Sequence, residues 1–362
     1  MKNIPFRKIF FWFGVITIII TLLPLLPADY WWIRMWEFPH IQVTALTLFA
    51  ILLYLIIFKF KEKKDVVFLS ILIGCFIYQF SVIISFTPLH KKDVLAPSNL
   101  QKENTLKILT ANVLQKNENN DKLITLVKDL DADIMVFTEA DSLWQRAINK
   151  GLGKKYPHRV ELPLSNTYGI LLYSKYELIE PEIKFMVTDT IPSIHTKFKM
   201  PTGDVIQLYA IHPTPPTPQE NPLSTDRDAE MMLTAKLVRD SKIPVIVIGD
   251  LNDVPWSDTS KLFKNTAELL DIRIGRGFYS TFNANKTIFR WPLDHIYVTP
   301  EFRVSDIQVG ETIDSDHFPY YATLHFEPET AKEQLPKPAT EGELKKAQKQ
   351  IDKLKEKDTE QK

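Results

Sequence analysis

The sequence predicts an α/β protein, a two-sheet α/β sandwich preceded by three transmembrane helices. Three observations carry this prediction. The first ninety residues are mostly apolar and divide into three runs near 9–27, 41–58 and 66–86. From Thr105 to Phe326, short β-rich segments alternate with helical ones. Between strands the chain turns either tightly or through a helix, which is the mark of two packed layers rather than a bundle. A span of this length can bury a core of its own.

Each apolar run approaches the ~20 residues that cross a hydrocarbon layer as a helix. A cleaved signal peptide is the alternative for the first run, but no small-residue cleavage site follows it and two further apolar runs come next. Tyr30, Trp31, Trp32 and Trp36 lie between the first two runs, where interfacial aromatics belong. Lys2, Arg7 and Lys8 flank the first run, and Lys59, Lys61, Lys63 and Lys64 flank the third. The loop between the first two runs offers only Arg34. This bias places the N-terminus in the cytoplasm and the chain after Phe86 outside it, an integral protein of the cell's inner membrane. Lys91 and Lys92 pull against that orientation. The anchor is assigned to 1–88.

Residues 89–104 hold charges and turn formers without apolar periodicity and read as a linker. The domain at 105–327 then opens with the strand LKILTANV. The helix DKLITLVKDLD follows, with Asn120 as its candidate cap, and then the buried strand ADIMVFTEA. YGILLYSKYEL, IHTKFKM, DVIQLYAIH, PVIVIGDL, LDHIYVT and YYATLHF read as further strands. Pro201, Thr202 and Gly203 mark a hairpin between two of them. DRDAEMMLTAKLVRDS and SDTSKLFKN read as helices. Residues 328–362 are rich in charge. Leu344, Ala347, Ile351 and Leu354 stand there at coiled-coil spacing for barely two heptads, so a solvated, partly helical or disordered tail is expected. The one cysteine, Cys75, sits in an apolar run, which excludes a disulfide scaffold or a cysteine-rich metal site.

Polar residues recur at one kind of place, the ends of apolar strands. Asn112 follows LKILT, Glu139 follows IMVFT, His212 follows IQLYAI, and Asp250 and Asn252 follow VIVIG. Asp294 and His295 open IYV, and Asp316 and His317 precede the last strand. A polar group at one strand end is ordinarily just entering solvent. Carboxylates, carboxamides and imidazoles at six of them are not explained that way. The order ANV, TEA, YGILLYSK, IHP, GDLND, LDHI and SDHFP resembles the endonuclease/exonuclease/phosphatase superfamily over residues 106–326.

That resemblance implies a deoxyribonuclease-like sandwich and a Mg²⁺-dependent hydrolase of phosphate esters, with Mn²⁺ as the alternative ion. Glu139 would be the main metal ligand, with Asn112 and Asp316 beside it. Asp250 would orient or deprotonate water and Asn252 would contact phosphate oxygens. His212 and His317 would donate to the phosphoryl group, and Asp294 would orient an imidazole, that of His317. Physical chemistry agrees: such hydrolysis needs neutralised phosphoryl charge and an activated water, and hard oxygen ligands suit Mg²⁺. Asp253 and Asp258 read as caps or solvated acids, and His295 as a packing residue. Arg227 and Arg290 are either phosphate contacts or exposed ion pairs. TPPTPQENP is a rigid loop at the cleft, and Phe278, Tyr279, Phe282, Phe289 and Trp291 are a candidate rim.

The substrate class stays open among nucleic acid, phospholipid and small phosphates, with the lipid bilayer as the other partner. Residues 105–326 carry 24 Lys and Arg against 29 Asp and Glu, whereas a nucleic-acid surface is ordinarily basic. The alternative function is a membrane-tethered scaffold on an inactive hydrolase fold.

Overall fold

The computed structural model describes residues 6–57 and 62–360, so Lys2, Lys59 and Lys61 of the orientation argument lie outside the described residues. Helix α1 spans Phe6–Leu22, the single turn α2 Trp31–Arg34, α3 His40–Ile57 and α4 Lys63–Ile83. Among the described residues, three stretches are long and apolar enough to cross a membrane: Arg7–Leu25, His40–Ile57 and Lys63–Phe86. Their outer faces expose Trp12, Ile56, Val67 and Ile77, while Ala50, Ile51 and Leu72 are packed between them. Arg7 sits 3.8 Å from Asp65, which brings the beginnings of α1 and α4 to the same end. The end of α1, the start of α3 and the end of α4 lie at the other end, against the rest of the chain.

Among the described residues, twelve strands form two six-stranded sheets. In chain order they begin with β1 Thr105–Asn112, helix α5 Asp121–Leu130, β2 Ile134–Thr138 and helix α6 Ser142–Leu152. β3 His158–Leu162, β4 Ile170–Ser174, β5 Leu178–Lys184, β6 Ser193–Lys199 and β7 Val205–Ala210 follow. Helix α7 Thr225–Asp240 leads to β8 Val245–Asp250, and α8 Asp258–Thr266 to β9 Leu270–Asp271. β10 Asp294–Val298, β11 Phe302–Val309, β12 Tyr320–Phe326 and helix α9 Glu341–Glu360 complete the chain. One sheet runs β11-β12-β1-β2-β4-β3 and the other β5-β6-β7-β8-β10-β9. Each has one parallel pair, β1 with β2 and β7 with β8, joined through α5 and α7; the other pairings are antiparallel.

Why the strands read as unbroken apolar runs is now clear: both faces of each sheet are covered. Leu106 and Ile108 point into the core between the sheets with Leu208, Ala210, Ile246 and Ile248. Leu109 and Ala111 point the opposite way, beneath α5 and α6 with Trp144 and Ile148. Val245 and Val247 likewise face α7, α8 and α9. A strand alternates sides with period two, so both sets must be apolar.

Several elements differ from expectation. YGILLYSKYEL is two strands, not one: β4 and β5 belong to different sheets. The chain crosses at Ser174, whose hydroxyl donates to Tyr176 O at 2.8 Å and accepts from Tyr176 N at 2.9 Å. Helix α6 is absent from the expected elements, although Asp141 caps it by accepting from Leu143 N and Trp144 N at 2.8 and 3.0 Å. β11 escaped notice because a bulge between Val304 and Asp306 breaks its alternation. Asn120 precedes α5 without a side-chain capping bond.

The linker and tail are corrected as well. Val94 is fully buried in the inter-sheet core, and the Glu327 carboxylate accepts from Ser98 N, Ser98 Oγ and Asn99 N at 2.9, 2.7 and 3.1 Å. Residues 89–104 are therefore held down, not free. The tail is docked rather than solvated: Ala347, Ile351 and Leu354 are buried, with α9 lying across α7 and α8. The spacing that is too short for a coiled coil serves instead as one apolar stripe against a globular surface.

Within α7, Glu230 is buried and its Oε1 finds no hydrogen-bond partner among the described residues. Burial, reinforced by Asp226, raises its carboxyl to about 8. A folded-state pKa above the unfolded one gives stability that is full below about 4.5 and is lost as pH rises through about 8. Glu230→Gln is therefore expected to raise the melting temperature at pH 8.5 by at least about 2 °C. The gain should vanish near pH 4.5, as thermal unfolding followed by intrinsic fluorescence would record.

Candidate active site

The topology gathers the strand-end residues. A parallel pair ends at one edge of its sheet, and the antiparallel strand beside it begins at that same edge. Asn112 and Glu139 lie where β1 and β2 end, and His212 and Asp250 where β7 and β8 end. Asp294, which opens β10, is in register with Asp250. His317 stands three residues before β12, whose Tyr320 pairs with Thr110. The two sheets face each other, so both sets meet at one end of the sandwich.

Asn112 Nδ2 donates to Glu139 Oε1 at 2.7 Å and to Asp250 Oδ2 at 3.0 Å, so it links the sheets. Its Oδ1 accepts from Leu114 N at 3.0 Å. The amide thus turns its nitrogen to the carboxylates and its oxygen to the backbone. In this arrangement Asn112 bridges the two acids through its nitrogen, and its oxygen is engaged by the Leu114 amide.

Asp250 Oδ2 lies 3.8 Å from His212 Nε2 and 3.6 Å from His317 Nε2, between two imidazoles. His317 Nδ1 pairs with Asp294 Oδ2 at 2.8 Å. Asp250 Oδ1 accepts from Asn252 N at 3.0 Å, and Asn252 Nδ2 donates to Pro213 O at 2.9 Å. Asp316 is half-buried, and its Oδ1 and the His212 Nδ1 have no hydrogen-bond partner among the described residues. Gly249 is required just before Asp250. Its φ of +144° disfavours a side chain, and a Cβ there would lie 2.0 Å from Ile211 O.

Burial, with repulsion from Asp250 and Asp316, raises Glu139 to about 7 despite the Asn112 bond and His317. Burial also raises Asp250, with Asp294 adding to the rise and His317 and His212 opposing it. Burial alone would lower His317, but Asp250 and Asp294 overcome it and hold the imidazole up at about 10. Burial lowers His212, which Asp250 only partly offsets. At neutral pH the pocket therefore holds one charged imidazole, one neutral imidazole and crowded carboxylates.

Other residues shape the site too; of these, Phe282 belongs to the candidate rim and Pro215 to the proline-rich loop, whereas Ser315, Tyr168, Gln115 and Glu220 do not stand out in the sequence. Ser315 Oγ donates to Asn112 O at 2.8 Å and accepts from His317 N at 3.0 Å, tying the two together. The Phe282 ring lies 4.9 Å from His317, and Tyr168 lies 5.5 Å from His212. A cleft of about 220 Å³ opens beside Glu139, His212 and Asn252, lined also by Gln115, Tyr168 and Glu220. Pro215 of the proline-rich loop borders it. A serine or an aromatic carries no chemical signature in isolation. Only SDHFP, read as a turn, could have pointed to Ser315.

Arg227 is neither a phosphate contact nor an exposed ion pair. It is fully buried, bound to Asp228 Oδ1 at 2.9 Å, Asp253 Oδ1 at 3.2 Å and Asn252 O at 3.0 Å. Asp253 is correspondingly buried, accepting from Ser260 Oγ at 2.8 Å and from Ser257 Oγ. Ser257, rather than Asp253 or Asp258, caps α8. Arg290 folds over Phe318, its guanidinium 4.9 Å from the ring, and donates to carbonyls of its own loop. His295 is buried between Tyr297 Oη and Asp253 O at 2.9 and 2.8 Å, a packing residue.

Among solved structures, D. rerio TDP2 complexed with a single-strand DNA product aligns with a TM-score of 0.52 and 18% identity, over 61% of this chain and 99% of that one. An endonuclease/exonuclease/phosphatase from Bacteroides vulgatus aligns at 0.51 and 19% identity, over 62% and 99%. A family protein from Bacteroides thetaiotaomicron aligns at 0.50 and 18%, over 62% and 96%. At these identities the likeness speaks for the fold. No curated protein matches the sequence. Residues 109–317, more than half of the chain and enclosing the whole polar constellation, match the Endonuclease/Exonuclease/phosphatase family, and the chain belongs to that family.

Proposed function

We propose that this protein is a divalent-metal-dependent hydrolase of phosphate esters, held at a membrane by its three apolar helices. The observation that carries the reading is the pocket itself. Asn112, Glu139, His212, Asp250, Asn252, Asp294, Asp316 and His317 converge at one end of the sandwich, beside the cleft that Glu139, His212 and Asn252 line.

The donor set fits Mg²⁺ or Mn²⁺. Glu139 and Asp316 offer hard oxygens, Asp316 Oδ1 is buried without a hydrogen-bond partner among the described residues, and repulsion from Asp316 is part of what holds Glu139 at about 7. A bound cation would relieve that crowding. Asp250, Asp294 and His317 also lie close enough together to hold an ion, within 4.8 Å. His317 Nδ1 is already engaged by Asp294 at 2.8 Å, however, so these three read better as an imidazole held by Asp294 and facing Asp250 at 3.6 Å. When bound at Glu139 and Asp316, the ion supplies neutralisation of the phosphoryl charge.

The chain's own groups supply the rest. Asp250, aligned by Asn112 and the Asn252 amide, takes the proton from the attacking water. His317, kept charged by Asp250 and Asp294, donates to a phosphoryl oxygen, and neutral His212 donates from the opposite side. Asn252 stands at the cleft to hold the phosphate. The three helices would cross the bilayer with Arg7, Lys63 and Lys64 on the cytoplasmic side and the cleft on the other.

Purified full-length protein should hydrolyse a nitrophenyl phosphate mono- or diester in the presence of Mg²⁺ or Mn²⁺. EDTA should reduce turnover by at least about a hundredfold, and added Mg²⁺ should restore it. Turnover that survives chelation, or no turnover of any phosphate ester with metal present, would sink the reading.

A further inference from the structure

The loop at one wall of the cleft and the loop beside His317 are fastened to the first two apolar helices and the segment that joins them. On one side, Trp31 N donates to Pro222 O at 2.9 Å and Ser224 N to Asp29 O at 2.8 Å, at the end of the loop that carries Pro215 and Glu220. On the other, Gln42, in the first turn of α3, donates to Ile288 O at 2.7 Å. A ladder of rings continues from there to the site. Phe38 packs edge-on to Trp291 at 5.9 Å, Trp291 stacks on Phe282 at 6.1 Å, and Phe282 meets His317 at 4.9 Å. The end of the third apolar helix reaches the same place, with Phe86 against Trp256 and Phe278 at 5.7 and 6.4 Å. The candidate rim aromatics Phe278, Phe282 and Trp291 are thus the joint between anchor and cleft.

Two apolar side chains of the loop beside His317 are left bare. Ile288 is 69% and Phe289 55% exposed, beside the first turn of a helix fit to enter a bilayer. Tyr30 and Trp32, stacked at 6.3 Å, are likewise exposed next to the other loop. The headgroup layer on each side of a bilayer is only about 5–8 Å deep. A site bordered by two loops, one hydrogen-bonded to the first turn of α3 and the other to the segment just before it, opens at that layer. Residues 105–326 meanwhile carry more acid than base, the wrong balance for tracking a nucleic-acid backbone.

We infer that the 283–291 loop seats Ile288 and Phe289 in the headgroup layer, and that the substrate is a phosphate ester borne by a lipid of the same membrane. This rests on the hydrolase reading above and names its substrate class.

The test uses the full chain in phosphatidylcholine nanodiscs containing phosphatidic acid or phosphatidylglycerol, with Mg²⁺. Bis(4-nitrophenyl) phosphate and a single-stranded DNA oligonucleotide serve as soluble comparators. Ile288→Asp/Phe289→Asp should lower the ratio of lipid turnover to soluble-ester turnover by at least about tenfold, the effect of withdrawing two apolar side chains from the interface. Independently of activity, a nitroxide attached at position 289 in Cys75→Ala/Phe289→Cys should be more accessible to dissolved oxygen than to a water-soluble nickel chelate. Chelate access typical of bulk water would overturn the placement. Turnover of the soluble ester or DNA with both lipids untouched would overturn the substrate class and leave the hydrolase reading standing. Silence on every ester would overturn that reading itself.

Discussion

Glu139→Gln, Asp250→Asn and His317→Ala are each expected to lower turnover of a phosphate ester by about 10²–10⁴-fold, the usual worth of a positioned acid, base or charge-stabilising group. The stability readout separates this from misfolding, because it should move the other way for two of them. Burial raises both Glu139 and Asp250 above the ordinary carboxylate range. For such a group stability is full below its unfolded pKa and is lost as pH rises through the folded one. For Glu139 the window runs from about 4.5 to about 7. In metal-free protein at pH 8, Glu139→Gln and Asp250→Asn should therefore melt higher than the parent while being inactive. Added Mg²⁺ should stabilise the parent and leave Glu139→Gln unmoved. Unchanged activity, or a melting temperature that falls in both amide variants, would show that these acids hold the fold together and do no chemistry.

Arg227→Met is expected to cost about 3–5 kcal/mol, the penalty for leaving buried acids without their counter-charge. An exposed pair of the same residue types is worth about 0–1 kcal/mol, so the magnitude decides between the two environments. Asp228 and Asp253 flank Arg227 at 2.9 and 3.2 Å, all three fully buried. The same guanidinium donates to Asn252 O at 3.0 Å, and Asn252 N in turn bonds Asp250. Activity should fall along with stability, although Arg227 touches no substrate. Adding Asp253→Asn should recover part of the lost stability, because it removes one of the stranded charges. Chemical denaturation of the single and double variants would read this directly. Additive losses would mean that the two side chains are not energetically linked.

Much of the molecule was legible from residue order. The three apolar runs, the strands carrying Asn112, Glu139, His212 and Asp250, the hairpin at Pro201–Gly203 and helices α5, α7 and α8 all declare themselves by periodicity and turn residues. Their signals are local. Misread elements had signals that were broken or shared: the bulge in β11, and the Ser174 crossing that makes one apolar run serve two sheets. Arg227 and Asp253 were misjudged because a charge in a sequence gives no sign of whether its partner is water or another buried charge.

By itself, the sequence determined which residue types stand at strand ends, and through them the family and the chemistry available. Periodicity and side-chain chemistry are carried within a few residues of one another, so no folding is needed to see them. Tertiary structure alone decided what each group faces. It turned the Asn112 nitrogen toward Glu139 and Asp250, set Asp294 behind His317, docked α9, and joined the loops beside the site to the apolar helices and the segment between them. Those contacts link residues from tens to hundreds of positions apart, and distance along the chain carries no information about them until the sheets have closed on each other.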